Sequence, residues 1–177
     1  MNLPTGESAE QQRASGFKQD LEHLRQVPLF QNLEYECLKL LTMLTRKIEL
    51  IEGDQLMVQG EDDGNAYLVT TGKLESFHTR DATRYHIQWY EAGQFVGSFA
   101  LLGTSIRLFT VEAVEKSTLL RINRIGFQKV MQKFPDAMMR IGANLADEVS
   151  GWEQDQLNRA DGGILERPEL VLGISLL

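Results

Sequence analysis

One stretch of the sequence gathers residue types able to hold an anion. Between Gly93 and Ala113, in GQFVGSFALLGTSIRLFTVEA, a glycine-containing turn runs into a short apolar segment, and an arginine then opens a β-branched run. A helix that begins after Gly97 leaves the backbone N–H groups of Ser98, Phe99 and Ala100 unpaired in its first turn. Together with the helix dipole, such groups cradle a phosphate-sized anion. Arg107 is ten residues beyond Gly97 and has the reach to close over the same anion bidentately. A competing arrangement uses these residues only structurally: Gly97 then serves a turn, and Arg107 pairs with an acid such as Asp62 or Glu61.

Other chemistry has little support. The three histidines, His23, His78 and His86, belong to no His/Cys/carboxylate cluster at metal-ligand spacing, so no metal is expected. They read as surface or turn residues. No Ser/His/Asp order, carboxylate pair or Walker glycine-lysine run suggests catalysis, and the chain is expected not to be an enzyme. Gly60-Glu61-Asp62-Asp63-Gly64 reads as a turn because it lacks a basic residue to meet phosphate. The single Cys37 sits in an apolar helical pattern and reads as a buried thiol.

The elements that must position the cradle follow from the spacing of apolar residues. At 177 residues, 42% apolar and 24% charged, the chain has the size of one domain with a real core plus extensions. Residues 1–15 are polar and offer no face to bury, so they are expected to be flexible. Phe17, Leu21 and Leu24 then repeat at helical spacing up to Pro28, and Asn32 is a candidate N-cap for a helix over Leu33 to Leu44. From Arg46 to Asn123 the period falls to about two, with glycine turns between short strands, which predicts an antiparallel roll or barrel. Phe127, Val130, Met131 and Phe134 mark a helix that ends at Pro135. A longer helix over Asp136 to Leu157 carries Met138, Ile141, Leu145, Val149 and Trp152 in a heptad-like seam suited to another subunit. Ile164 to Leu177 is a mostly apolar tail interrupted by Pro168 and Gly173.

These residues resemble the cyclic nucleotide-binding domains of the catabolite-activator type. Their phosphate cassette runs G-x-F-x-G-E-L-A-L-L and then R-[AS]-[AS]-x-V, and this chain matches it at Gly93, Phe95, Gly97, Ala100, Leu101, Leu102, Arg107 and Val111. Gly53, Gly60, Tyr67 and Gly72 are similar to the family's first half, so the resemblance covers about Pro28 to Pro135. It implies an α+β, mainly β fold: a jelly-roll-like β-roll with flanking N-terminal helices and a long C-terminal helix. The domain is expected over 16–158, with the roll at 46–123, helices at 124–158, and a tail over 159–177.

The resemblance also implies a site and a mechanism. Gly97, Ser98, Phe99, Ala100, Arg107 and Leu108 are the ligand-binding candidates, for a cyclic nucleotide or another small anion, with no other cofactor. Two of them depart from the pattern: Ser98 stands where the family has a ribose-binding Glu, and Leu108 where it has a small Ala or Ser. The expectation is a regulatory or sensor module that signals through its C-terminal helices to a protein partner. A working receptor for cyclic AMP or cyclic GMP, and a degenerate roll used as an interaction scaffold, remain alternatives. In the family dimers meet on the long helix, so a homodimer is expected. Net charge is −7, and Asp136 to Leu170 carries eight acids against three arginines, so no DNA binding is expected. No apolar run has membrane-spanning length and the N-terminus lacks signal-peptide order, so a cytoplasmic protein is expected.

Overall fold

The computed structural model describes residues 6–160. Their eight antiparallel strands are β1 (Arg46–Leu50), β2 (Gln55–Met57), β3 (Asn65–Thr71), β4 (Lys73–Arg80), β5 (Thr83–Glu91), β6 (Phe95–Val96), β7 (Thr110–Ala113) and β8 (Ser117–Asn123). They form two four-stranded sheets, in the orders β1-β8-β3-β6 and β2-β7-β4-β5. The helices are α1 (Gly6–Gln26), α2 (Tyr35–Leu44), α3 (Phe99–Leu102), α4 (Arg124–Lys133) and α5 (Pro135–Ala160), with a 3-10 turn at Pro28–Phe30. This is the mainly β, jelly-roll-like roll with flanking helices that the sequence predicts.

Burial explains why the strands carry the residues they do. The sheet containing β3 and β8 is covered on both faces, so these two strands read as nearly continuous apolar runs. Ala66, Leu68, Leu120 and Ile122 pack against Leu24, Phe30, Leu38, Leu41 and Phe127 on the helical side. Tyr67, Val69 and Leu119 turn the other way, onto Leu74, Tyr90 and Val111 of the second sheet. The outer face of the second sheet instead alternates to charge, with Lys73 bridging Glu91 and Arg84 bridging Glu112.

Three local expectations are corrected. α1 begins at Gly6, inside the stretch expected to be flexible; Gln11 to Ser15 are exposed, and good helix formers there extend a helix anchored downstream by buried Leu24 and Val27. Asn32 does not cap α2. It takes a left-handed turn conformation (φ 62°), and the cap position falls to Glu34. β6 is an unforeseen two-residue strand, paired to Tyr67 and Leu68. The apolar tail, residues 161–177, lies outside the described residues.

The passage from one sheet to the other depends on Gly72, between β3 and β4. Its φ is +89°, and a Cβ there would lie 2.2 Å from Ser117 Oγ and 2.6 Å from Ser117 Cα. Gly53 has a similar φ of +86° but nothing within 4 Å of the added atom. Gly72→Ala is therefore expected to cost about 3 kcal/mol, from strain plus overpacking, and Gly53→Ala about 1 kcal/mol, from strain alone. Urea midpoints that coincide for the two variants would refute the role given to crowding at this corner.

Candidate functional site

The cassette residues come together at the end of β6, where the chain leaves one sheet edge and turns through Gly97. Gly97 has φ +87°. Ser98 follows in right-handed helical geometry, and α3 is a single turn, Phe99–Leu102. The turn is tight enough that the N–H of Ala100 already donates to the carbonyl of Gly97, at 3.1 Å. The expected cradle of three free amides is thereby corrected to two, those of Ser98 and Phe99. A helix this short also sums little dipole, so an anion here depends mainly on the arginine.

Arg107 is delivered to the cassette by the loop before β7 and is 5% exposed. A Cβ added to Gly97 would stand 2.8 Å from Arg107 Nη1 and 3.0 Å from the carbonyl oxygen of Asn65. Gly97 is thus required twice, for its φ and for the closeness of the guanidinium. All the hydrogen bonds of that guanidinium run through Nη2, which donates to Asp63 Oδ1 and to the carbonyl of Asn65. Nε is buried with no partner. Asp63 Oδ2 also accepts from the hydroxyl of Tyr67, at 2.8 Å. Burial first, and then the bond to Asp63, push the Tyr67 phenol well above its usual range.

The acid that meets Arg107 is therefore neither Asp62 nor Glu61. Asp62 pairs with Arg124 at the start of α4, while Glu61 contributes its carbonyl oxygen to the backbone N–H of Arg107, at 2.8 Å. Arg124 also donates from Nε to the carbonyl of Ala100, so one side chain ties the acidic loop, α3 and α4 together. Leu108 is 47% exposed. Its carbonyl lies 3.0 Å from His78 Nδ1.

Residues 47–134 match the pattern that defines the cyclic nucleotide-binding domain. The chain carries a domain of the cyclic nucleotide-binding family. This bears out the resemblance read from the cassette. The chain is also similar to the cAMP-dependent protein kinase regulatory subunit of Blastocladiella emersonii, with 27% identity over 119 residues, 66% of this chain and 29% of the relative. The neuropathy target esterase sws of Drosophila persimilis is 26% identical over 126 residues, 67% of this chain and 9% of the relative. The chain thus spans under a third of either curated relative. Among solved structures, a cyclic nucleotide-binding-like protein of Brucella abortus superposes with a TM-score of 0.60 and 29% identity, covering 64% of this chain and 98% of that one.

In this cyclic nucleotide-binding domain, sequence reasoning missed Asp63, Asn65 and Arg124. The signal available was the consecutive acid pair just before a strand that carries Tyr67. The dimer candidates are not all at the surface. Ile141 is fully buried in the chain's own core, because α5 is fastened to the 3-10 turn by Asn144 Nδ2 donating to the carbonyls of Leu29 and Gln31. Met138 is exposed, Leu145 and Val149 are half-buried, and the side chain of Trp152 lies outside what is described.

The hydrogen bond from Arg124 holds the Asp62 carboxyl below its ordinary value of 3.8, helped by the N–H of Gly64. A lowered folded-state value favours the fold while the acid is ionised, so the contribution is present above pH 3.8 and is lost as pH falls through the folded value. Asp62→Asn is accordingly expected to destabilise the domain at neutral pH, and its unfolding midpoint is expected to converge on that of the unmodified protein once the pH has fallen through the folded-state value of the acid. Parallel pH profiles for the two proteins would contradict this.

Proposed function

We propose that the chain is a non-enzymatic regulatory module whose cassette has departed from the cyclic nucleotide pattern, and that it passes ligand occupancy through its C-terminal helices to a protein partner. The observation that carries this reading is Arg107, almost fully buried against Gly97 with Nε unused. A buried guanidinium that holds donors in reserve suits a site that gains an anion. Ser98 supplies only a short neutral hydroxyl where the family places a carboxylate for the ribose, which argues against tight cyclic nucleotide binding. The regulatory subunit among its relatives supports a signalling role.

A physical route from the cassette to the helices supports the second half of the reading. Leu101 and Leu102 of α3, Phe127 and Met131 of α4, and Pro135 and Met138 of α5 line one groove of about 450 Å³. A shift of α3 therefore changes the packing offered to both α4 and α5, the kind of two-state rearrangement that ligands bias. Among the described residues no helix is long and apolar enough to cross a membrane. We place the module in the cytoplasm, in keeping with its buried free thiol at Cys37, which burial pushes up to about 11.

A second reading, an operating cyclic nucleotide receptor, is favoured by the same Arg107, and affinity separates the two. Calorimetric titration of the unmodified protein with cyclic AMP and cyclic GMP is expected to give dissociation constants no tighter than about 1 mM. Ser98→Glu should tighten binding by about tenfold, a gain of roughly 1.4 kcal/mol, and adding Arg107→Ala should remove the gain. A dissociation constant of a few micromolar for the unmodified protein would replace the departed-cassette reading with the receptor.

The reading includes a homodimer along the exposed side of α5, since Met138 and Met139 are left uncovered and a symmetric helix pair covers such a face. Light scattering is expected to report a mass of two chains, and Met139→Asp combined with Val149→Asp to report one. A single-chain mass for the unmodified protein at micromolar concentration would sink the dimer.

A further inference from the structure

Arg121 is a half-buried cation on a strand of the roll. It sits on β8, directly opposite Tyr67 of β3 on one side and Arg46 of β1 on the other. Leu120 and Ile122 pack on the helical side of the sheet, and Leu119 packs between the sheets. Strand alternation therefore turns Arg121 toward the interior of the roll. Its Nε is buried without a hydrogen bond, and no carboxylate pairs with its guanidinium among the described residues. A buried donor left unpaired costs stability, so a position like this calls for an explanation.

The surroundings add positive charge. Arg46, the cross-strand neighbour, gives Nη1 only to the carbonyl of Thr45, at 3.3 Å. Asp63 is already committed to Arg107, to the Tyr67 hydroxyl and to the N–H of Asn65. Tyr67 lies between the two arginines in the strand order: Arg107 rests against Gly97 beyond the β6 side, and Arg121 stands on the β8 side. Arg107 donates to the carboxylate that accepts from the Tyr67 hydroxyl, and Arg121 is the cross-strand neighbour of Tyr67, so the same residue stands beside both. Arg107 thus meets β3 from the turn after β6 and Arg121 from β8, on opposite sides of the strand, so each calls for an anionic group of its own.

We propose that the interior of the roll binds a small molecule carrying two anionic groups, one met by Arg107 beside Gly97 and the second by Arg121 on β8. This deepens the ligand-sensing reading above and rests on it. A phosphate joined through a short spacer to a carboxylate or to a second phosphate has the required chemistry. Arg107 keeps its bonds to Asp63 and Asn65 through Nη2 and presents Nη1 to the first group. Arg121 gains the partner that the protein withholds.

The test uses the full chain and two probes of similar size that differ in one charge, glycerol 3-phosphate and 3-phosphoglycerate. Calorimetry is expected to show the second binding at least about tenfold more tightly than the first. Arg121→Met, which keeps the aliphatic stem, should abolish that difference while changing glycerol 3-phosphate affinity by no more than about twofold. Its ligand-free melting temperature should equal or exceed that of the unmodified protein, because an unpaired buried donor is removed. A lower melting temperature would mark Arg121 as a structural residue and overturn the proposal. Equal affinities for the two probes, or no binding of either at about 10 mM, would overturn it as well. Phosphate binding that depends on Arg107 but not on Arg121 would refute this inference alone and leave the proposed function standing.

Discussion

A guanidinium cannot be taken out of water without partners, and much of this domain's irregular structure answers to that single demand at Arg107. The loop over Glu61 to Asn65 wraps it from one side. Glu61 accepts its backbone N–H, Asp63 receives the charge, and the Asn65 carbonyl takes a further hydrogen bond. Gly97 approaches from the other side, and any side chain there would collide with the arginine. The cassette turn, the acidic loop and the entry to β7 are three distant pieces of chain that converge on one charge.

A second arginine carries the arrangement outward. Arg124 takes the other acid of the pair, Asp62, and bonds the carbonyl of Ala100 in the cassette helix. It also opens α4, whose Phe127 and Met131 reach the groove shared with α3 and α5. Polar contacts thus fix the inner edge of α3 while apolar contacts, which tolerate sliding, hold its outer edge.

The fold was legible in the sequence because its signals are local. Strand alternation, glycine turns and the Pro135 break all act over a few residues, and the cassette spacing from Gly97 to Arg107 carried the family. The partner of Arg107 was not legible, because Glu61, Asp62 and Asp63 are chemically near-equivalent. Only the path of the loop through Gly64, at φ +62°, sends one acid to each arginine. The count of free amides failed for a related reason: whether Ala100 bonds to Gly97 depends on the tightness of one turn. Ile141 shows the limit of periodicity, since a stripe at helical spacing looks the same whether it faces a partner or its own core. Here the hydrogen bonds of Asn144 settle the matter in favour of the core.

The two ion pairs of the acidic loop span 44 and 62 residues of sequence. Contacts so far apart along the chain, like the strand pairs of the roll, form only after loop-closure entropy has been spent. On a ribosome the acidic loop emerges well before either arginine. Until Arg107 has followed it, Asp62 and Asp63 are two adjacent negative charges with no arginine to meet them, and Asp62 waits longer, for Arg124. A nascent chain that has not extended past residue 123 therefore holds the partner of Asp63 but not that of Asp62, and its acidic loop is secured on one side only.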